Sequence, residues 1–306
     1  MTAEVKWDDR RAGRDRRIGL LDVLLTLLLV GFVVFSAYRV SSVMHYQWAW
    51  SPIPSYFLRW DPATYSWVSN LLLDGLLMTI RLSLWGSIIA AVVGLLMGLS
   101  RISRNLFLHL VAWSYVALIR NIPPLVFIFI FYFFISSQVL PLLNLDGLAR
   151  DASPAWQRVL WVAVGDPGDV NTFLSGLLAL GLFEGAYVTE IVRAGIQSLP
   201  KGQWEASQGL GLSRLKTLRL VILPQAFRKV IPPLTGQFIS LIKDSAIVSL
   251  ISVPELSFAG TEMTASTRGL FEVWITIAAI YFVLCFGCSL GFDIVNRRIS
   301  GSGSRS

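Results

Sequence analysis

The sequence predicts an all-α, polytopic membrane protein with about six transmembrane helices and a helical loop on the cytoplasmic side. Three observations carry that expectation. Hydrophobic residues make up 54% of the 306 and charged residues only 15%, where a soluble domain carries roughly 25% charged residues. Mean hydropathy is +0.62. Several apolar runs approach the ~20 residues that a helix needs to cross a ~30 Å hydrocarbon core. The formal charge is +7, but the basic residues gather in alternate loops, which points to anionic lipid headgroups and membrane topology, with no nucleic acid.

Residues 1–18 form a basic cytoplasmic N-terminus with Lys6, Arg10, Arg11, Arg14, Arg16 and Arg17. Residues 19–70 hold the first span, the apolar run Leu20 to Ala37, and an external loop. The run exceeds the 7–15 apolar residues typical of a signal peptide and lacks a clear small-residue cleavage site, so a retained span is expected. Residues 38–70 are rich in Trp, Tyr and Pro and read as an interfacial loop, because indole and phenol rings favour the headgroup zone.

The transmembrane core is placed at 71–296. Its second span runs from about Leu72 to Leu99, with Gly94 and Gly98 four apart for close helix packing. Arg101 and Arg104 mark a basic turn, and 106–120 reads as a helix in or near the interface. Pro123 and Pro124 open a third span through about Ser136, since proline at a helix start loses no needed N–H. A polar, slightly acidic stretch, 138–172, precedes a fourth span from about Phe173 to Ile191. The fifth span is expected from about Ile231 to Val253 and the sixth from about Phe271 to Val295, before a flexible cytoplasmic tail at 297–306. Six spans put both termini on one side. Segments 1–18, 100–109, 193–230 and 296–306 hold most of the Lys and Arg, while the opposite loops hold Arg39, Arg59, Arg150, Arg158 and Arg268. The positive-inside rule therefore places both termini in the cytoplasm.

The loop between the fourth and fifth spans, 200–224, reads as two short helices with a turn. Pro200 punctuates the start of a first helix over Gly202 to Leu210. Gly211 supplies a permissive turn, Ser213 an N-cap, and Pro224 the end of the second helix. Leu215, Leu218 and Ile222 share one stripe of that second helix, while Arg214 and Lys216 project elsewhere. Such a pair has either a protein to dock into or the headgroups to lie on.

This segment resembles the cytoplasmic coupling loop of ABC importer permeases, which reads Glu-Ala-Ala, three residues, Gly, nine residues, Ile, one residue, Leu-Pro. Here stand Glu205-Ala206-Ser207, Gly211, Val221 and Leu223-Pro224, with every spacing matched and with Ser207 and Val221 as the departures. Further segments resemble the polar amino-acid branch of that family. Arg120-Asn121-Ile122-Pro123-Pro124-Leu125 is similar to its Arg-Gly-Thr-Pro-Leu-Leu element. Glu190 to Ile196 and Lys201-Gly202-Gln203 are similar to the stretch before its loop. Lys243-Asp244-Ser245 is similar to its Lys-Asp-Thr-Ser element.

The resemblance covers roughly 70–296. It implies a bacterial inner-membrane permease for polar amino acids. Its implied partners are a second permease subunit, the same or a different chain, ATP-hydrolysing subunits on the coupling loops, and a soluble periplasmic substrate-binding protein. The loops would transmit a rigid-body change between two states. An importer of another small solute such as an osmolyte, or a secondary carrier acting alone, are the alternatives.

Charges inside spans are the other candidates, because a central Lys or Asp costs about 2.5–3.5 kcal/mol on insertion scales. Lys243 and Asp244 diverge by ~100° on a helix and cannot pair face to face. Glu190 and Arg193, three apart, can pair, and Glu184 has no partner nearby in sequence. These five residues line a substrate path or hold a subunit interface. Arg81 and Arg120 are expected to snorkel toward an interface. His45 and His109 have no metal-ligand neighbours. Cys285 and Cys288 read as small packing residues. No phosphate-binding Gly-x-x-x-x-Gly-Lys-Ser/Thr loop and no nucleophile–base set occurs. The chain is thus expected to be no enzyme, to need no cofactor or metal, and to draw its energy from a partner.

Overall fold

A computed structural model describes residues 19–43, 46–267 and 269–301. The basic segment 1–18, His45, Arg268 and the tail from 302 lie outside the described residues, as do the side chains of Arg297 and Arg298. Among the described residues six helices are long and apolar enough to cross a membrane. The chain divides into two units, 1–49 and 50–306. The first holds α1, Leu20–Val43, a helix with apolar side chains exposed all round, as suits a helix surrounded by hydrocarbon.

The second unit opens with a feature that the sequence reading treats as plain loop. Strands β1, Leu58–Asp61, and β2, Ser66–Ser69, pair antiparallel, with Trp60 opposite Trp67 and their rings 5.7 Å apart. Asp61 closes the turn by accepting from the Ala63 amide and the Thr64 hydroxyl. Those hydrogen bonds hold its carboxyl below the usual carboxylate range.

The remainder is helical. Helix α2 spans Leu71–Arg101 and α3 Leu106–Arg120, each capped by an asparagine, Asn70 and Asn105. The third apolar helix runs from Pro124 to Leu143. It starts as α4, Pro124–Ile130, widens into a π-turn at Phe131–Ser136, and ends through α5, Ser137–Val139, and a 3-10 turn. Two short helices, α6 at Leu145–Arg150 and α7 at Pro154–Ala163, fill the stretch expected to be a polar loop. Asp146 ties it to the next helix by accepting from the Asn171 amide and side chain, both at 2.8 Å.

Helix α8, Val170–Gln197, is the most enclosed of the spans, with 72% of its apolar window buried. It packs along α2, where Gly98 faces Val192 so closely that an added methyl would stand 2.7 Å from its Cγ1, and Gly94 meets Val188 in the same way. The two glycines thus form the close seam their spacing predicts. Helix α9, Lys201–Gly209, and α10, Arg214–Thr217, follow.

The chain does not stop at Pro224. A π-turn at Leu218–Ile222 leads straight into α11, Leu223–Asp244, and a 3-10 turn at Ser245–Ile251. Leu223 donates to the Leu218 carbonyl five residues back. This wider ring accommodates the proline that an ordinary helical turn would reject. The expected separate second helix and the expected fifth span are therefore one element, Arg214–Ile251, of 38 residues. At 1.5 Å per residue it is roughly 57 Å long, well over a ~30 Å core, so one end must project.

Helix α12, Leu256–Ser266, is absent from the sequence reading. It is anchored by Glu255, whose fully buried carboxylate accepts from the Ser257 and Phe258 amides and from the Tyr281 and Thr79 hydroxyls. Helix α13, Leu270–Gly301, is the last span.

Candidate functional site

Three arrangements could carry function. The first is the hairpin of α9 and α10. Gly211 has φ +80°, a conformation that favours glycine. Its amide donates to Gln208 O at 2.9 Å and the Leu212 amide to Ser207 O at 3.1 Å. These two bonds form a Schellman motif, which satisfies the last carbonyls of α9. Ser207 is buried and its hydroxyl donates back to Gln203 O, so only a small side chain fits there. Ser213 stands at the start of α10 but makes no capping bond through its hydroxyl.

Trp204, Leu218 and Ile222 root the hairpin in a cluster with Val192, Ile196 and Leu199. The expected apolar stripe splits. Ile222 is fully buried, whereas Leu215 is 73% exposed and Leu210 at the tip 83% exposed. Glu205 and Ala206 are exposed on the same short helix, and so is Pro224 beyond it, while Leu223 is half-buried.

The second arrangement is Glu190. Sequence spacing pairs it with Arg193, and the structure places Arg193 Nη2 2.6 Å from its Oε2. It also brings Arg101 Nε to 3.5 Å and Arg120 Nη1 to 4.0 Å. Arg120 also lies over the Tyr187 ring, while its side chain stays 44% exposed. Arg81 likewise donates to Val162 O and stacks on Trp161. A cavity of about 480 Å³ beside Glu190 is lined by Arg120, Arg193, Lys229 and Gln237.

The third is Glu184, wholly buried in α8. Gln237 of α11 donates to its Oε2, and Asp244 lies beside it. Its Oε1 has no hydrogen-bond partner among the described residues. It borders an apolar cavity of about 370 Å³ with Ser87, Gln237 and Phe292. Lys243 points away and is exposed, as its divergence from Asp244 requires. Gln237 is missed in the sequence because neutral amides are unremarkable in a span. It lines both cavities.

Residues 90–301 match the family model described as the inner membrane component of binding-protein-dependent transport systems. Over 231 residues the chain is 38% identical to the L-cystine transport system permease protein TcyB of Bacillus subtilis, covering 75% of this chain and 86% of that one. It is 31% identical over 257 residues to the glutamate/aspartate import permease protein GltJ of Escherichia coli K12, covering 84% and 96%. Among solved structures it superposes on a chain from an amino acid ABC transporter with histidines, at TM-score 0.59 and 33% identity, covering 74% and 94%. The inward-facing MetNI methionine ABC transporter shares the fold, at TM-score 0.56 and 18% identity.

Proposed function

This chain belongs to the family of binding-protein-dependent transport system inner membrane components, and from that membership we propose that it moves polar amino acids inward through a bacterial inner membrane. It is the multi-pass permease subunit of an ABC transporter. The relatives named for cystine, glutamine and glutamate/aspartate support the cargo class. Its proposed partners are ATP-hydrolysing subunits, a second permease subunit and a soluble substrate-binding protein. Both termini are assigned to the cytoplasm on the distribution of Lys and Arg.

The observation that carries the coupling role is the exposed, internally closed hairpin. Leu210 and Leu215 stand in the open on a turn whose own backbone bonds are already satisfied. Exposed leucines on a rigid tip rooted in the core suit a protein groove. Glu205, Ala206, Ser207, Gly211, Leu223 and Pro224 form this element, which would pass motion from the ATPases into α8 and α11. Gly211→Pro removes the amide that closes the Schellman motif and forbids the positive φ. Insertion should be retained, with ATPase subunits no longer co-purifying or no longer driving uptake. Normal uptake in this variant, or cysteine labelling that puts 200–224 outside the cell, would overturn the reading.

For the substrate path, Glu184 and Gln237 supply an acceptor and an amide at the first cavity, with Asp244 beside Glu184. Arg120, Arg193 and Lys229 supply cations at the next. A zwitterion presents an ammonium and a carboxylate, which this polarity would guide in sequence. Glu190 serves the framework, since its charge is already matched by arginines.

A further inference from the structure

A separate cavity of about 410 Å³ lies where the α2–α3 turn meets the root of the hairpin. Arg101, Ser103, His109, Lys201, Trp204 and Arg214 line it, and no carboxylate does. Arg101 leans toward Glu190 at 3.5 Å. Lys201 and Arg214 are exposed, and neither has an acidic partner within 4.0 Å among the described residues. Arg214 Nη2 donates to Ile102 O at 3.2 Å and His109 Nδ1 to Arg101 O at 2.8 Å, since a carbonyl only accepts. Those bonds fix the two side chains around the opening.

The surroundings are apolar. On α3, the helix that carries His109, Leu106 is 69% exposed, Phe107 71% and Leu110 49%. A cationic pocket beside a helix with exposed apolar side chains, at the end of a membrane span, matches a molecule with a phosphate head and hydrocarbon tails. A soluble anion would have no use for those side chains.

We propose that this cavity binds the headgroup phosphate of an anionic phospholipid, with its acyl chains along α3, and that the bound lipid ties α9 to the α2–α3 turn. The site requires no assignment of cargo or ATPase; only its leaflet, the cytoplasmic one, rests on the topology proposed above.

The test reads lipid retention on the full chain without any ATPase present, so failure of the coupling role cannot mimic failure here. The chain is reconstituted in nanodiscs of mixed phosphatidylcholine and phosphatidylglycerol, and bound lipid is counted by native mass spectrometry. Wild type should retain phosphatidylglycerol over phosphatidylcholine. Lys201→Gln with Arg214→Gln should weaken that retention roughly thirtyfold, at about 1 kcal/mol per basic residue. The charge-keeping pair Lys201→Arg with Arg214→Lys should restore it, and Arg228→Gln, outside the cavity, should leave it unchanged. Equal retention of both lipids by wild type, a comparison that needs no variant to fold, would overturn the proposal. So would equal phosphatidylglycerol retention by wild type and the glutamine pair. Displacement of the lipid by inorganic phosphate would assign the cavity to a soluble phosphate and likewise sink the lipid.

Discussion

Glu184 and Glu190 lie six residues apart on α8, and the helix treats them in opposite ways. Glu190 has three guanidiniums within 4.0 Å and a side chain 18% exposed. Glu184 is fully buried, takes one bond from an amide and has another acid for a neighbour. A carboxylate surrounded by arginines has its charge matched and holds helices together, although Glu190 Oε1, like Glu184 Oε1, accepts no hydrogen bond among the described residues. A carboxylate buried without a cation is costly unless something arrives to complete it. The contrast shows that composition of a span does not rank its charges; the charges on neighbouring helices do.

Variants of the two glutamates can break that comparison. The largest effect is expected from Glu190→Leu, which strands Arg101, Arg120 and Arg193 together and should cost about 3 kcal/mol of stability. Loss of monodisperse protein in detergent is the readout, and unchanged thermal stability would show that the cluster is not structural. Next, Glu184→Leu should keep or raise stability, because it removes an incompletely bonded buried acid. It should weaken transport about tenfold or more, the cost of one charged hydrogen bond to cargo. Vesicle uptake assays separate the two, and a folding defect with normal uptake per folded molecule would reverse the assignment.

Gln237→Leu should follow, with roughly fivefold weaker uptake for the loss of a neutral hydrogen bond to cargo and a lowered melting temperature, because it removes the amide that donates to buried Glu184. Its position between two cavities makes it the residue that sharpens the path most. Arg193→Gln removes only one of three cations from Glu190 and should cost no more than about 1 kcal/mol, a melting shift of a few degrees at most.

The smallest effect concerns a third carboxylate, at the N-terminal start of the same helix. Burial, together with Asp166 and Asp146 nearby, raises the Asp169 carboxyl above its ordinary value. A raised acid binds more protons folded than unfolded, so it lowers stability as pH rises through the window above the ordinary aspartate value. Asp169→Asn should therefore flatten that fall slightly, as followed by melting temperature against pH, and an unchanged slope would remove Asp169 as its source.

Much of the hairpin was legible because its rules are local. Pro200, Gly211 and the spacing to Pro224 speak about residues within a turn or two of one another, and the Schellman bonds around Gly211 follow from them. The Gly94 and Gly98 seam was legible in kind but not in partner, since the spacing does not name Val188 and Val192 on α8. The end of the second helix departs from expectation because an ordinary turn rejects Pro224, while the chain inserts a π-turn before it. Helix α12 escaped because its cap, Glu255, is recognisable only once Thr79 and Tyr281 are known to stand beside it.

By itself the sequence determined the solvent, the six apolar helices, the hairpin between the fourth and fifth, and the family. Each of these depends on runs, spacings and backbone preferences readable along a single stretch of chain. Only the tertiary structure decided which glutamate has cations beside it, that Gln237 faces Glu184, and that Arg101, Lys201 and Arg214 line one cavity. Those facts depend on side chains far apart in sequence, and electrostatic free energy is set by distance in space and by burial.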